Sequence, residues 1–338
     1  MARITLNKKN FFNNLDIISQ QAGKKEKVAL VLKDNAYGHG LVEIAELAHE
    51  YGISKVIVQR EDEAKRINKL FEYVLVLADI PSSFDEKIVY TINSLEAISK
   101  FMQGTRVELK VNTGMNRNGI EMQELKAAFE AIQKQDLLCE AVFTHHGCAD
   151  EQDEMYAYQK SQFQKVKEEA KILATEFGFK ELRFHSANSA ALFREKDFNE
   201  DMARVGIASY GCMQLPEEIE TSKLKPILSL YASKISSRVL QSGSCVGYGA
   251  TFQSSQPCVV TNYDLGYGDG FLRACSHHYK TPQRVKIVGR ISMDNSSFLT
   301  DKEELLIFND AREVAQVAGT ISYEILTSLK SYLKREIV

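Results

Sequence analysis

The residues able to do chemistry in this chain stand at the ends of apolar runs. In VALVLKDNAYGHG, residues 28–32 are unbroken apolar sequence and Lys33 follows, with Asn35, Tyr37 and His39 in a glycine-punctuated stretch behind it. A lysine at a strand end is ordinarily ion-paired. A desolvated one gives up its proton more readily and can add to a carbonyl as a Schiff base. The residues themselves leave both uses open. Other apolar runs close on Lys110 with Arg117 in KVNTGMNRNG, on His145 and His146 in FTHHG, on His185 with Asn188 and Ser189 in FHSANSA, and on Arg204 in ARVGIASYG. Asn188 and Ser189 precede a short helical pattern, residues 190–193. A helix N-terminus with a hydroxyl can hold an anion, and the same residues can serve as a plain cap. Gly206 offers backbone free of a side chain, for an anion or for packing. One lysine, an anion site and an arginine would suit a phosphorylated carrier.

Metal and triad chemistry fit less well. Adjacent histidines on a strand point to opposite faces, so neither His145–His146 nor His277–His278 makes a chelate. No H-E-x-x-H pattern and no G-x-S-x-G elbow occurs. We therefore expect no metal.

The elements that must position these residues repeat as strand and helix. Strand-like runs fall at 28–33, 53–58, 73–78, 88–92, 107–111, 141–144, 182–185 and 203–210, several of them apolar on both faces. Helical spacing joins many of them. Leu41, Ile44, Ala45, Ala48 and Tyr51 share a face that ends at Gly52, and Tyr156, Phe163, Val166, Ala170, Leu173 and Phe177 mark a helix over 155–177. Eight such units in about 200 residues predict a (β/α)8 TIM-type barrel, whose strand C-termini carry the active site. An open doubly wound sheet is the weaker alternative, because no G-x-G-x-x-G follows the first strand. After about residue 222 the pattern becomes alternating and glycine-punctuated, which predicts a mostly β C-terminal domain. A short helical pattern, 323–333, closes it. The expected division is 9–222 and 223–338, with residues 2–8 pairing with the second domain.

The chain has 338 residues, 44% hydrophobic and 26% charged, with a net charge of -3. That is ordinary globular composition, and it argues against a nucleic-acid or membrane-surface partner. No apolar run is long enough to span a bilayer, and the N-terminus lacks the pattern of a signal peptide. The six cysteines are scattered with no C-x-x-C pair, as in a reduced, cytoplasmic protein.

VLKDNAYGHG resembles the cofactor-lysine motif of bacterial alanine racemases. So do, in unbroken order, KVNTGMNRNG, FTHHG, HSANSA, DMARVGIASYG, VGYGAT, LGYGDG, VGRISMDN and ISYEI. The likeness runs from about residue 3 to the C-terminus. Several of these motifs are weak alone, but the ordered set is specific. The resemblance implies the barrel and β domain expected above, a head-to-tail homodimer with composite active sites, pyridoxal 5'-phosphate as cofactor and alanine as substrate.

It also implies roles. Lys33 matches the lysine that tethers pyridoxal phosphate as a Schiff base and serves as one catalytic base. Tyr248 matches the base on the opposite face, supported by His145. Tyr37, Asn188, Ser189, Gly206, Ile207 and Tyr323 match the cofactor pocket, most of them around the phosphate. Arg204, with His185 behind it, matches the arginine facing the pyridine nitrogen. Arg117 matches the arginine near the cofactor's phenolic oxygen and the substrate carboxylate. Met293 and Asp294 match the substrate pocket, and Tyr267 and Arg290 the entrance, on the partner's side. Lys110 matches a lysine that is carbamylated in some members. The chain departs from the family pattern at Asp34, Asn112, Asn118, His146 and Gly268. Two other readings remain: an amino-acid decarboxylase on the same plan, and a non-catalytic carrier of the cofactor. Such carriers generally lack a β domain.

Overall fold

The computed structural model describes every residue except 152, 153, 217, 218, 220 and 222. Eight parallel strands form one sheet in the order Arg183–His185, Leu138–Phe143, Arg106–Lys110, Ile88–Ile92, Tyr73–Val76, Lys55–Val58, Val28–Val31 and Ala203–Val205. Val28–Val31, Tyr73–Val76 and Ile88–Ile92 are buried throughout, which is why they read as continuous apolar runs. Registers such as Leu30↔Val56 and Val56↔Val74 align the strand ends at one rim.

The first and last strands in this order, Arg183–His185 and Ala203–Val205, meet at a seam held by individual contacts. The backbone N–H of Arg204 donates to the carbonyl of Ala187 at 2.9 Å, and that of Asp201 to Phe184 at 3.2 Å. The Asp201 carboxylate accepts the Phe184 N–H at 2.7 Å. Arg204 thus joins the seam at the rim where the candidate site lies.

The surrounding helices follow their apolar spacing. Leu41–Tyr51 ends at Gly52 in the left-handed conformation, and Glu154–Glu176 buries Phe163, Val166, Ala170 and Leu173. The last barrel strand is shorter than its apolar run: beyond Val205 the chain turns through Gly206, with Ser209 N–H on the Gly206 carbonyl.

The second sheet is built on one thirteen-residue strand, Leu228–Leu240, which buries Leu228, Leu230 and Ala232 on one face. It pairs antiparallel with Arg3–Leu6, Cys258–Tyr263 and Glu304–Phe308. Arg3–Leu6 also runs parallel to Lys334–Ile337, so both ends of the chain lie in this sheet. The division expected after residue 222 falls on a residue outside those described. The helical pattern expected over 323–333 is a shorter helix, Ser322–Ser328, and a further helix that the pattern did not include, Ala311–Ala318, precedes it. The chain then straightens into Lys334–Ile337.

Candidate active site

Lys33 follows the first barrel strand and opens a left-handed turn. Asp34, Asn35, Ala36 and Tyr37 all have φ between 50° and 56°. An L-residue held there costs about 1–2 kcal/mol, so four in succession need compensation. His39 supplies part of it: its Nδ1 lies 3.0 Å from the carbonyls of both Ala36 and Tyr37 and donates to them. Burial holds this imidazole down at about 4, so it is neutral. The Asn35 side chain accepts the Leu41 N–H at 2.9 Å, and the Arg335 guanidinium donates to the Gly38 carbonyl at 2.7 and 3.2 Å. Gly38 has no substitute, because a Cβ there would meet the Leu326 carbonyl at 1.9 Å and φ is +77°. The C-terminal helix therefore clamps the lysine loop and brings Tyr323 to it. Lys33 is partly exposed, with its Nζ 3.7 Å from the Asp34 carboxylate. The ordinary ion pair is present, and the neighbourhood decides the rest.

That neighbourhood is cationic. Lys110 is buried at the end of Arg106–Lys110. Burial first, and then the charges of Arg117, Arg204 and Lys33, push its ammonium down to about 8. A small cleft beside it is lined by Thr113, Arg117, Thr144 and His145. A lysine whose folded pKa lies below its unfolded one destabilises the fold while charged in both states, and the cost is relieved as pH rises from the folded value to the unfolded one. Relative to Lys110→Met, the unliganded protein should gain up to about 3 kcal/mol between pH 8 and 10.5. Urea unfolding of both proteins across that range measures it; parallel curves would contradict it.

Arg204 is the hub of the rim. One terminal nitrogen donates to His185 Nδ1 at 2.7 Å and to the His185 carbonyl at 3.2 Å. The other donates to the carbonyls of Thr144 at 2.6 Å and Ser186 at 3.0 Å, with His145 Nδ1 at 3.5 Å. The terminal N–H groups are thus committed to protein acceptors, which leaves Nε–H for a ligand. Burial, Arg204 and Arg117 push His145 well below its ordinary range, so it is neutral.

The residues expected at an anion site also come together. Ser189 Oγ accepts the N–H groups of Gly206 at 3.1 Å and Ala208 at 3.4 Å. Gly206 lies against Tyr37, and a Cβ there would sit 2.7 Å from the phenol oxygen. Tyr37 and Tyr323 pack at 5.7 Å between ring centroids. Burial raises both phenols, so they stay protonated and able to donate. Ser189 keeps its own hydroxyl hydrogen, and with the two phenols it gives donors of the kind a phosphate takes. Ile207 is buried beside them. Asn188 is an N-cap after all: its side chain accepts the Ala191 N–H at 2.9 Å, and its amide donates to the His146 carbonyl.

The remaining expected residues group elsewhere. Tyr248 follows Gly247, whose φ is +73°, and Arg290 lies beside the next glycine. Tyr267 and Gly268 donate their N–H groups to the carbonyls of Ser292 and Met293, which places Tyr267 beside Met293 and Asp294. Among the described residues, no hydrogen bond or ion pair joins this group to Lys33 or Arg204. Its apolar members are exposed: Tyr248 by 69%, Met293 by 56% and Tyr267 by 41%.

Two departures from the family pattern have local causes. The Asn112 amide donates to Asn116 Oδ1 at 2.9 Å and to the Glu121 carboxylate at 3.0 Å, which an aspartate could not do. At Gly268 a Cβ would fall 2.9 Å from the Met293 carbonyl, so alanine would crowd that segment. One buried residue escaped the sequence reading. Glu108 is fully buried inside the barrel, with its Oε2 2.9 Å from His185 Nε2. Its signal was the period of two in RVELK, which puts Glu108 on the same face as Lys110.

Together, the barrel and this rim define a class: a (β/α)8-barrel enzyme whose rim gathers a lysine, an arginine hub and a serine–glycine turn, followed by a β domain. A family model for the N-terminal domain of alanine racemase matches residues 6–214, and one for its C-terminal domain matches residues 227–337. The chain is 42% identical to the alanine racemase of Campylobacter curvus over the full length of both. It is 41% identical to that of a Nitratiruptor species, covering 99% of each. Among solved structures, alanine racemase from Bacillus anthracis with bound L-Ala-P superposes with a TM-score of 0.88 at 27% identity, over all of this chain and 95% of that one. The E. faecalis alanine racemase gives 0.86 at 26%, over all of this chain and 98% of that one. The chain belongs to the alanine racemase family.

Proposed function

We propose that this chain interconverts L-alanine and D-alanine with pyridoxal 5'-phosphate at the barrel mouth. In a bacterial cytoplasm its product would be D-alanine for peptidoglycan. The observation that carries the reading is the convergence of Lys33, Arg204 and the Ser189–Gly206 turn on one rim. Family relatives named alanine racemase support the choice of substrate.

The residues present fit the cofactor. Lys33 would hold it through its amine, and Tyr37, Ser189, Gly206, Ile207 and Tyr323 would hold its phosphate. The free Nε–H of Arg204 would face its ring nitrogen, and Arg117 its phenolic oxygen together with the substrate carboxylate. When bound, the cofactor delocalises the charge left by loss of the α-proton. Everything else falls to the chain. Lys33 takes or returns a proton on one face of the α-carbon. An arginine keeps its own proton, so Arg204 leaves the ring nitrogen unprotonated. Neutral His145 turns Nδ1 toward Arg204, which leaves Nε2–H to donate to a tyrosinate.

The second base would be Tyr248 of a second copy. Its exposure, with that of Tyr267 and Met293, supports a face that a second copy covers. The cations around Lys110 would stabilise negative charge on the Tyr248 oxygen. Met293 and Tyr323 would keep the pocket small, with Asp294 beside them, and Tyr267 and Arg290 would line its approach. This reading assigns 9–222 to cofactor binding, joined by Tyr323, and the Tyr248 and Met293 face of 223–338 to the partner's site.

Incubating L-alanine with the protein, with and without added pyridoxal phosphate, and following chirality and carbon dioxide tests it. Cofactor-dependent D-alanine is expected. Carbon dioxide without D-alanine would make the protein a decarboxylase, and cofactor binding without turnover would make it a carrier.

A further inference from the structure

We propose that Glu108 is a positioning residue for this mouth: by accepting the Nε2–H of His185 it fixes that ring as one neutral tautomer, and so sets the lone pair that holds Arg204. The purpose assigned to Arg204 rests on the proposed function. The hydrogen-bond logic does not.

The logic is one of donors and acceptors. His185 is fully buried and lies flat on Phe143, 4.8 Å between centroids and 13° between planes. One ring nitrogen, Nδ1, faces an Arg204 N–H at 2.7 Å, and the other, Nε2, faces the Glu108 carboxylate at 2.9 Å. An arginine has only donors, so Nδ1 must present its lone pair, and the single proton sits on Nε2. An imidazolium would set Nδ1–H against an arginine N–H. Burial also works against the charged ring. Were Glu108 apolar, Nε2–H would have no acceptor and the opposite tautomer would compete.

Glu108 can fill this role because the rest of its carboxylate is saturated. Its Oε1 accepts from Arg183 at 3.0 Å and from the Tyr73 hydroxyl at 2.5 Å. Burial raises this carboxyl, but the bonds from His185, Arg183 and Tyr73 outweigh it and hold it well below the usual range. Arg183 in turn bonds Glu140 at 2.9 Å. Charges therefore alternate along the barrel interior: Glu140, Arg183, Glu108, then neutral His185 and Arg204. At the rim, Glu200 is the other carboxylate that acts on Arg204. The carboxylate orients the imidazole as outer carboxylates orient metal-bound histidines, here with a guanidinium in place of the metal.

The test uses 15N-histidine-labelled protein, with the His185 signals assigned by their absence in His185→Gln. The wild type should show a single Nε2–H tautomer that stays neutral through the range where an unperturbed imidazole titrates. An Nδ1–H tautomer or a titrating His185 would overturn the proposal, and neither readout depends on a Glu108 variant or on the cofactor. Glu108→Gln, whose amide can face Nε2 with either its oxygen or its NH2, should give mixed tautomers and lower kcat by about 10- to 100-fold with little change in KM. Glu140→Gln removes a carboxylate from the same chain without touching His185, so it should leave both readouts near wild type. Equal effects from the two variants, or no change in Glu108→Gln, would refute a positioning role. If wild-type protein fails to racemise alanine, the proposed function falls while the tautomer result still decides this inference.

Discussion

Lys33→Ala loses the borohydride-fixed cofactor adduct, and racemisation falls by at least about 10²–10⁴-fold, the range set by removal of one general base. The expectation rests on position. Lys33 leaves a strand buried on both faces and enters a turn whose left-handed residues are clamped by His39, Asn35 and Arg335. A mount of that kind holds an amine in place. The competing residue is Lys110, the other lysine at the mouth, which at about 8 is closer to neutral at physiological pH than an ordinary lysine. The adduct should therefore be mapped in both variants. An adduct that survives in Lys33→Ala and disappears in Lys110→Ala would move the tether to Lys110.

Tyr248→Phe has an effect of similar size with a different signature. L- and D-alanine have equal free energies, so loss of one base must slow racemisation equally in both directions, by about 10²–10⁴-fold. The asymmetry appears in exchange. In deuterated water, the enantiomer whose proton Lys33 removes should still exchange its α-hydrogen without inverting, and the other should not. Equal, minor losses of exchange from both enantiomers would contradict the two-base scheme. Among the described residues no hydrogen bond joins Tyr248 to Lys33, and the two-base scheme requires a partner to bring them together. Mixing the two inactive variants then becomes informative. In a heterodimer one site carries both substitutions and the other carries neither, so roughly a quarter of wild-type activity should return under random pairing. No recovery would place both bases in one copy.

The sequence carried much of this because barrel chemistry is local in the chain. Strands apolar on both faces, helices of regular spacing and polar residues at strand ends all follow from short-range patterns. That was enough to gather Lys33, Lys110, His145, His185, Ser189 and Arg204 on one rim. The shift to alternating, glycine-punctuated segments likewise marked the second sheet.

Tertiary structure decided what depends on facing partners. Ser189 meets Gly206 and Ala208 only because the rim folds the chain back, and Asn188 turned out to be a cap. The left-handed turn after Lys33 lies in DNAY, where only Asp and Asn favour that conformation. It persists because distant groups hold it, Arg335 from the last strand and Leu326 from the last helix. Glu108 and His185 are 77 residues apart in sequence, and a carboxylate amid apolar neighbours does not say which cation or ring it will meet. The types and order of the reacting groups are properties of the sequence. The proton on each nitrogen is set by the atom opposite it, and only the fold supplies that atom.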